Sequence, residues 1–283
     1  MSAPVPFAKA HGLGNDFILV DEGHAPRDAS AWARRLCDRH LGIGGDGVLI
    51  YRLKTEARTL GMRLVNADGT DAEISGNGLR CLAGYAVGKG WMPPRHVVQT
   101  AAGPRDVEVE VLAENRFRVA TDLGAPILES GAIPVALAPP AARVVDHPLD
   151  VAGQRVRVTA TSLGNPHCAV FLDRVADDAM IATLGPALES HPFFPRKTNV
   201  ELVTVTARDA LRARFWERGV GPTRASGTGA ASAAVAAVLK GLTGRRVHVE
   251  CDGGTLEVEW PEGGRVRQVG EVEVLFEGEW LSA

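Results

Sequence analysis

A weak internal repeat is the feature that most constrains the fold of this 283-residue chain. Leu-Gly-Asn and an apolar strand that ends in Asp occur in HGLGNDFILVD (11–21) and again in TSLGNPHCAVFLD (161–173). A strand, a turn, Ser-Gly-x-Gly and a run of small residues occur in RLVNADGTDAEISGNGLRCLAGYAV (63–87) and in RFWERGVGPTRASGTGAASAAVAAV (214–238). The shared order predicts two copies of one unit, which face each other across a cleft.

Short strand-like runs outnumber helical candidates along the chain. Several runs, such as DVEVEVL (106–112), alternate polar and apolar residues as half-buried antiparallel strands do. Helices are expected over 28–40, with Asp28 or Ser30 as N-cap, and over 76–90 and 227–244. A fourth candidate, 173–190, is expected to break at Gly185-Pro186, and the proline-rich segment 125–150 is expected to connect the halves, with a short strand as an option. The predicted class is α+β.

Composition excludes several classes of function. A net charge of -3 and a pI near 6.3 argue against a nucleic-acid partner. No apolar stretch is long enough to predict a membrane span, and the N-terminus lacks the pattern of a signal peptide. Four widely spaced cysteines predict neither a zinc site nor a disulfide framework. These features favour a reduced, cytoplasmic protein without a metal.

The two Ser-Gly-x-Gly elements are the strongest candidate site. Ser75 precedes Gly76-Asn77-Gly78, and Ser226 precedes Gly227-Thr228-Gly229. Glycines permit close backbone approach, and the free N–H groups of a helix's first turn attract an anion. The alternative is that both serines are ordinary helix N-caps.

Further polar residues accompany these elements. Glu217-Arg218 precedes Ser226 by a few residues, and His167 follows the second Leu-Gly-Asn motif; both are candidates to lie beside a serine, for proton transfer and substrate contact. The alternatives are a structural histidine and a surface ion pair. Four asparagines stand at or near strand ends and suit the recognition of an amino acid's ammonium and carboxylate groups: Asn15, Asn66, Asn165 and Asn199. GIGGDG (42–47) precedes a strand instead of following one, which excludes a Rossmann fingerprint.

Taken together, these stretches resemble the diaminopimelate epimerase family. The resemblance rests on HGLGNDF, GIGGDG, NADGTDAEISGNGLRC, LGNPHC, TNVELV and WERGVGPTRASGTGA, in the order and at the spacing of the family. It implies two pseudo-symmetric domains, each a mostly antiparallel sheet wrapped around a central helix, with the substrate closed between them. For this chain the expected domains are 1–122, joined by 268–283, and 123–267. The family implies a cofactor-independent enzyme of lysine and peptidoglycan precursor biosynthesis, and a homodimer.

The resemblance also assigns roles to individual residues. It implies substrate contacts from Asn15, Asn66, Asn165 and Asn199, and contacts from Glu217 and Arg218 to the distal end of diaminopimelate. It implies that Gly76, Asn77, Gly227 and Thr228 hold the α-carboxylate. His167 is similar to the histidine that assists the first catalytic residue, and Glu217 is expected to assist the second.

The departure from the family lies at the two catalytic positions. The family has a cysteine before each Gly-x-Gly, where this chain has Ser75 and Ser226. A thiol ionises near pKa 8.5 and an alcohol near about 16, a gap that corresponds to about 10 kcal/mol. A helix dipole supplies about 0.3–2 kcal/mol. Serine is therefore excluded as a free alkoxide base, and a relay to His167 or Glu217 stays open.

Four interpretations remain open at the level of sequence. The first is an epimerase that works slowly, or through His167 and Glu217, with serine in place of both thiols. The second is an epimerase in which both cysteines were changed to serine to trap substrate. The third is a racemase, isomerase or lyase of the same superfamily with different chemistry. The fourth is a non-catalytic amino-acid-binding protein that kept the cleft.

Overall fold

Two compact units make up the structure, a computed structural model that describes residues 3–54, 58–72 and 75–281. Unit 1 consists of Met1–Asp122 with Val269–Ala283, and unit 2 consists of Leu123–Gln268. The chain therefore crosses from one unit to the other twice. Glu73 and Ile74, which belong to one of the family-like motifs, lie outside the described residues.

The elements follow one another in an order that places the longest strand at the end of the chain. The strands are β1 (Val5–Gly12), β2 (Asn15–Asp21), β3 (Gly47–Lys54), β4 (Thr59–Asn66), β5 (Asp71–Ala72), β6 (Arg95–Thr100), β7 (Gly103–Ala113), β8 (Arg116–Gly124), β9 (Val144–Val151), β10 (Gln154–Ser162), β11 (Pro166–Phe171), β12 (Asn199–Ala207), β13 (Ala210–Glu217), β14 (Gly221–Thr223), β15 (Arg246–Cys251), β16 (Gly254–Glu259) and β17 (Val266–Trp280). The helices are a 3-10 turn (Glu22–His24), α1 (Ser30–Cys37), α2 (Gly76–Gly88), α3 (Asp178–Glu189) and α4 (Gly227–Leu239).

The strand pairing of unit 1 recurs in unit 2. In unit 1, β1–β2 is antiparallel, β2–β3 parallel, β3–β4 and β4–β5 antiparallel, β4–β6 parallel and β6–β7 antiparallel. In unit 2 the same sequence of pairings runs from β10–β11 through β11–β12, β12–β13, β13–β14 and β13–β15 to β15–β16. The helices also correspond, α1 with α3 and α2 with α4. The predicted α+β fold with two pseudo-symmetric, mostly antiparallel halves is confirmed.

A central helix fills the sheet of each unit. α2 packs against β1, β2, β3, β4 and β7, and its residues 76–86 are buried. Small side chains let the sheet close tightly around it: a Cβ added at Gly88 would lie 2.7 Å from Cζ of the buried Phe117. α4 packs in the same way against β10, β11, β12, β13, β15 and β16, with alanines over most of its surface. Both Ser-Gly-x-Gly elements therefore lead into the centre of a sheet.

The end of α2 agrees with the sequence pattern, which offers Gly88 or Gly90 as its last residue, whereas α4 ends earlier than expected. α2 ends at Gly88, and α4 ends at Leu239, five residues before the expected end at 244. Glycines with positive φ follow each end: Gly90 and Gly241 both have a φ of 70°, which favours glycine and stops the helix. α1 begins after Ala29, while the Asp28 carboxylate accepts a hydrogen bond from the Ser30 amide. Within the described part of the chain, no helix has the length and apolarity to cross a membrane.

The expected break at Gly185-Pro186 is wrong, because α3 continues through Pro186. The Asp177 carboxylate caps its start by accepting a hydrogen bond from the Met180 amide. Gly185 is in close contact with the Trp216 ring, since a Cβ there would lie 2.6 Å from it. The packing of the helix's buried apolar side chains on unit 2 outweighs the one hydrogen bond that proline removes.

The proline-rich segment 125–150, which was expected to connect the halves, lies within unit 2 and ends in a strand of eight residues. β9 runs over Val144–Val151 and pairs antiparallel with β10. Pro148 lies opposite Arg157 within this pairing. Among the described residues, β9 pairs with β10 alone, and the edge of a sheet tolerates a residue without an N–H donor.

Candidate active site

Both serines of the Ser-Gly-x-Gly elements are helix N-caps with nearly the same geometry. Ser75 has φ -127° and ψ 123°, and Ser226 has φ -131° and ψ 124°. The Ser75 Oγ accepts from the Gly78 amide at 3.1 Å, and the Ser226 Oγ accepts from the Gly229 amide at 3.2 Å. The capping interpretation is therefore correct for both residues, and it leaves each hydroxyl proton free for a second partner.

The amide groups after each serine form a candidate anion site. A capping side chain pairs with the third amide of the helix, so the first two amides lie ahead of the helical ladder. These amides belong to Gly76 and Asn77 in α2 and to Gly227 and Thr228 in α4. A helix N-terminus also carries a partial positive charge. Each unit thus presents two N–H donors that suit a carboxylate.

The Leu-Gly-Asn turn of each unit is tied to the same helical position. In unit 1, the Asn77 Nδ2 donates to the Asn15 Oδ1 at 3.2 Å. In unit 2, the Asn165 Nδ2 donates to the Thr228 Oγ1 at 3.4 Å. Asn77 and Thr228 each stand two residues after the serine. Sequence-distant motifs are therefore brought together within each unit: Asn15, Ser75, Gly76 and Asn77 form the unit 1 cluster, and Asn165, Ser226, Gly227 and Thr228 form the unit 2 cluster.

The GIGGDG loop supports the unit 1 cluster through Asp46. The Asp46 Oδ2 accepts from the Asn15 Nδ2 at 2.7 Å and from the Asp16 amide at 3.0 Å. Arg39 donates to Asp16 and to Asp46, and the buried Lys9 ammonium lies 2.6 Å from the Asp16 Oδ2. Burial opposes ionisation of Asp16, but the hydrogen bonds from Arg39 and Lys9 outweigh it and hold the pKa of Asp16 well below its usual range. The turn that carries Asn15 is fixed by charged partners.

Asn66 and Glu217 occupy equivalent positions at the ends of β4 and β13. The Asn66 Nδ2 donates to the Thr70 Oγ1 at 3.0 Å, which closes the turn that leads to β5. Glu217 ends β13 at a tight turn, in which the Val220 amide donates to the Glu217 carbonyl at 3.0 Å and Gly219 has a φ of 76°. Asn66 is half-buried and directs its amide into its own turn, whereas the half-buried Glu217 ends a strand of the unit 2 sheet.

Asn199 joins two loops of unit 2 through its side chain. Its Nδ2 donates to the Pro166 carbonyl at 3.0 Å, and its Oδ1 accepts from the Arg218 amide at 2.9 Å. Asn199 therefore positions the Glu217–Arg218 turn beside the Leu-Gly-Asn turn. The exposed Arg218 guanidinium donates to the Arg196 carbonyl at 3.3 Å.

Glu189 holds the same turn from the side of α3. Its carboxylate accepts from the Trp216 Nε1 at 2.7 Å and from the Gly219 amide at 3.1 Å. Burial raises the pKa of Glu189, but hydrogen bonds from Trp216, Gly219 and Lys197 outweigh it, so the pKa lies below its usual value. The sequence analysis did not single out Glu189. Its signal is an acidic residue at the end of an otherwise apolar helix.

His167 belongs to a series of hydrogen-bonded polar side chains in unit 2, which runs from Glu201 to Thr228 at the start of α4. Its Nδ1 lies 2.6 Å from the Glu201 Oε1, and its Nε2 lies 3.0 Å from the Asn165 Oδ1. Both side chains of the His167–Glu201 pair are buried, with 0% and 1% exposed. The Asn165 amide nitrogen donates in turn to the Thr228 Oγ1. Glu201 was missed at the level of sequence, although a charged residue inside the apolar strand VELVTV is an unusual feature.

The four cysteines are buried and do not take the place of the family's thiols. Burial raises the pKa of the Cys81 thiol to about 12 and that of the Cys37 thiol to about 11. Burial also raises the pKa of Cys168 well above its ordinary value. Cys251 is buried as well, and its thiol donates to the Val249 carbonyl at 3.6 Å. Among the described residues, no group of three or more His, Cys, Asp or Glu side chains is arranged to hold a metal ion.

Comparison with protein families matches residues 7–128 and 159–275 to the model described as "Diaminopimelate epimerase". A diaminopimelate epimerase of Desulforudis audaxviator is 47% identical over 281 residues, which cover 98% of this chain and 99% of that protein. The diaminopimelate epimerase of Pelotomaculum thermopropionicum is 45% identical over 279 residues, and these cover 97% and 98% of the two chains. Both relatives therefore match this chain over nearly its whole length.

Solved structures with the same fold are more distant in sequence. A predicted epimerase from Pseudomonas aeruginosa superposes with a TM-score of 0.69 at 18% identity and covers 99% of this chain and 100% of its own. A hydroxyproline epimerase from Agrobacterium vitis gives a TM-score of 0.66 at 13% identity and covers 98% and 91% of the two chains. These structures support the fold, and the close relatives and the family match support the function class. The chain therefore belongs to the diaminopimelate epimerase family of isomerases.

Proposed function

We propose that this protein interconverts LL- and meso-2,6-diaminopimelate by cofactor-independent, two-base transfer of the α-proton, as a step of lysine biosynthesis. The observation that carries the proposal is the pair of equivalent helix N-termini at Ser75 and Ser226 in a chain of this family. Two-base epimerisation needs one proton-transfer group for each face of the α-carbon, and each unit supplies one such position.

In this proposal the α-carboxylate binds to the first-turn amides of α2 and α4. The donors are the amides of Gly76, Asn77, Gly227 and Thr228, and the helix dipoles favour the negative charge. The same donors stabilise the extra negative charge that spreads onto the carboxylate when the α-proton leaves. Asparagine side chains contact the rest of the reacting end, and these are Asn15, Asn66, Asn165 and Asn199.

The distal amino-acid end of diaminopimelate is proposed to contact Glu217 and Arg218. A carboxylate and a guanidinium side by side complement an ammonium and a carboxylate on one carbon. The turn that carries them is held by Asn199 and Glu189, so both groups are presented on a fixed backbone. A substrate without the distal amino-acid end would lose these contacts.

The serines limit the rate of the proposed reaction. An alkoxide is about 10 kcal/mol harder to form than a thiolate, so neither Ser75 nor Ser226 acts as a base by itself. Each hydroxyl instead passes a proton on, with His167 assisting one serine and Glu217 the other. We expect turnover that is much slower than that of a cysteine-containing form.

The remaining features of the proposal come from the family. We propose that units 1 and 2 are its two domains, that the enzyme works in the cytoplasm as a homodimer, and that its partner is the small-molecule substrate rather than nucleic acid or a membrane. Size-exclusion chromatography with light scattering measures the oligomeric state directly.

The proposed function is tested by diaminopimelate binding and by exchange of its α-proton in D2O. We expect calorimetric binding of LL- and meso-diaminopimelate, weaker binding of lysine, and slow exchange that disappears in His167→Ala and in Glu217→Ala. Glu257→Gln, a buried carboxylate on β16 that pairs with Arg246, is the matched control and should keep the exchange rate. Failure of both diaminopimelate isomers to bind would contradict the substrate assignment.

The presence of serine at both positions favours a second candidate, a diaminopimelate-binding protein without turnover. Helix N-termini and asparagines suffice to bind an amino acid, and hydroxyls at both positions remove the thiol chemistry. Binding without measurable exchange over a long incubation would select this candidate over the slow epimerase.

A further inference from the structure

The His167 side chain, a predicted site residue, contacts a second buried side chain of unit 2, Glu201, that the sequence did not assign to the site. β11 and β12 run parallel, and Ala169 pairs with Glu201 two residues beyond the pairing of His167 with Asn199. The Glu201 side chain returns along the sheet to reach the His167 Nδ1 at 2.6 Å. Both side chains are almost completely buried, so bulk water does not contact the pair.

The environment of Glu201 opposes a lone negative charge. Its Oε1 is hydrogen-bonded to His167, and its Oε2 is buried without a hydrogen-bond partner in the part of the chain that the structure describes. Burial raises the pKa of Glu201 above its ordinary value, although the neighbouring His167 acts in the opposite direction. Two other groups act on Glu201: the Glu217 charge on β13 raises its pKa, and a hydrogen bond from the Cys168 backbone lowers it, while α4 carries no ionisable side chain. A proton is therefore kept between Nδ1 and Oε1.

The other ring nitrogen of His167 has an acceptor as its partner. The Asn165 Oδ1, 3.0 Å from Nε2, accepts hydrogen bonds only, so Nε2 carries a hydrogen atom. The Asn165 amide nitrogen in turn donates to the Thr228 Oγ1 on the first turn of α4. The pair thus holds one proton on Nε2 and a second proton between His167 and Glu201, and it is neutral as a whole.

We propose that Glu201 is a positioning residue that keeps His167 protonated on both ring nitrogens, with a proton available on Nε2, before substrate binds. This inference rests on the proposed function, in which His167 assists one serine. As that serine delivers its own proton to the α-carbon, the Nε2–H bond breaks and a new O–H bond forms on the serine oxygen in the same step, so no free alkoxide is formed. The ring is then neutral and keeps its Nδ1–H, which it donates to the Glu201 carboxylate. In the reverse direction, the serine proton returns to His167 Nε2.

Nitrogen-15 NMR of the histidine rings tests this protonation state of His167 in the absence of substrate. In the unchanged protein at neutral pH we expect both ring nitrogens of His167 to carry hydrogen, Nε2–H directed to Asn165 and Nδ1–H shared with Glu201. A far-downfield, slowly exchanging proton between Nδ1 and Oε1 should accompany this state. An unprotonated Nε2 at neutral pH would overturn the proposal, whatever the activity of the protein.

Glu201→Gln removes the negative charge and keeps the shape of the side chain. We expect the downfield proton to disappear and His167 to carry a single ring proton at neutral pH. In the background of Ser75→Cys with Ser226→Cys, kcat should fall about 10- to 100-fold with KM changed less than about threefold, which is part of the 10²- to 10⁴-fold that positioned acids and bases contribute. Glu257→Gln in the same background should keep both constants. An unchanged kcat in Glu201→Gln would contradict the proposal, whereas no activity in the background itself would contradict only the proposed function.

Discussion

Ser75 and Ser226 cap their helices well and ionise poorly. Their Oγ atoms accept hydrogen bonds from Gly78 and Gly229, which is a common role of serine, and the sequence alone offered this interpretation beside the catalytic one. Since capping uses only an acceptor position, the structure does not force a choice between the two roles. What separates serine from the family's cysteine is the free energy of losing the hydroxyl proton.

Asp16 is the residue whose charge contributes most clearly to the stability of unit 1. Its low pKa means that the folded chain favours the ionised form, so its contribution is present above the ordinary pKa of about 3.9 and is lost as the pH falls below it. We predict that Asp16→Asn lowers the free energy of unfolding at pH 7 by about 3 kcal/mol, because the buried Lys9 loses its partner. The loss of stability on acidification should also become shallower.

Urea unfolding as a function of pH measures both effects of Asp16→Asn. Asp71→Asn is the matched control, because Asp71 forms an exposed pair with Arg63 that contributes about 0–1 kcal/mol. Equal losses of stability in the two variants would show that the Lys9–Asp16–Arg39 network adds nothing beyond a surface ion pair.

At the scale of elements, patterns in the sequence predicted where the central helices begin. They did not predict contacts between residues that are far apart in sequence. Ser75 and Ser226 mark the starts of α2 and α4 because capping and glycine effects are local. Proline at 186 predicted a break in α3, since local propensity does not include the packing of that helix on Trp216. The partner of Glu201 could not be predicted, because its contact with His167 joins two residues 34 positions apart on paired strands.

The capping bonds of α2 and α4 should contribute to stability independently of activity. We predict that Ser226→Ala lowers the free energy of unfolding by about 1 kcal/mol, because the Gly229 amide loses its acceptor in a buried position. Ser30→Ala is the control: its hydroxyl accepts only from the Arg34 side chain, so a change below about 0.5 kcal/mol is expected. Equal urea midpoints for Ser226→Ala and the unchanged protein would contradict the capping role.

At the scale of the whole molecule, the two units repeat one order of strand pairings. Unit 1 also includes residues from β17, the last strand of the chain. β17 pairs antiparallel with β1, from Val5–Trp280 to His11–Glu273, and also pairs with β8. Val272 is part of the core around α2. The internal repeat in the sequence indicated the two copies, because each motif keeps its order along the chain. Strand partners of β17 could not be derived from local patterns, since they lie more than 140 residues away along the chain.

Removal of residues 271–283 should therefore affect the two units differently. We predict that hydrogen exchange, followed by mass spectrometry, becomes fast in β1 and α2, which lose a strand partner and core contacts. Protection in β10 to β13, which pair within unit 2, should persist. Removal of 281–283 alone is the control and should leave both units protected. Equal loss of protection in both units would contradict this account.

The central claim is that the chain retains the site of a diaminopimelate epimerase and that its two serines limit the chemistry. The most direct measurement is the rate of α-proton exchange of diaminopimelate in D2O for the unchanged protein, Ser75→Cys, Ser226→Cys and the double variant. We predict at least about 10³-fold faster exchange in the double variant, because thiolates form at neutral pH at a helix N-terminus and alkoxides do not. Exchange in the double variant that is no faster than in the unchanged protein, despite equal diaminopimelate binding, would contradict the claim.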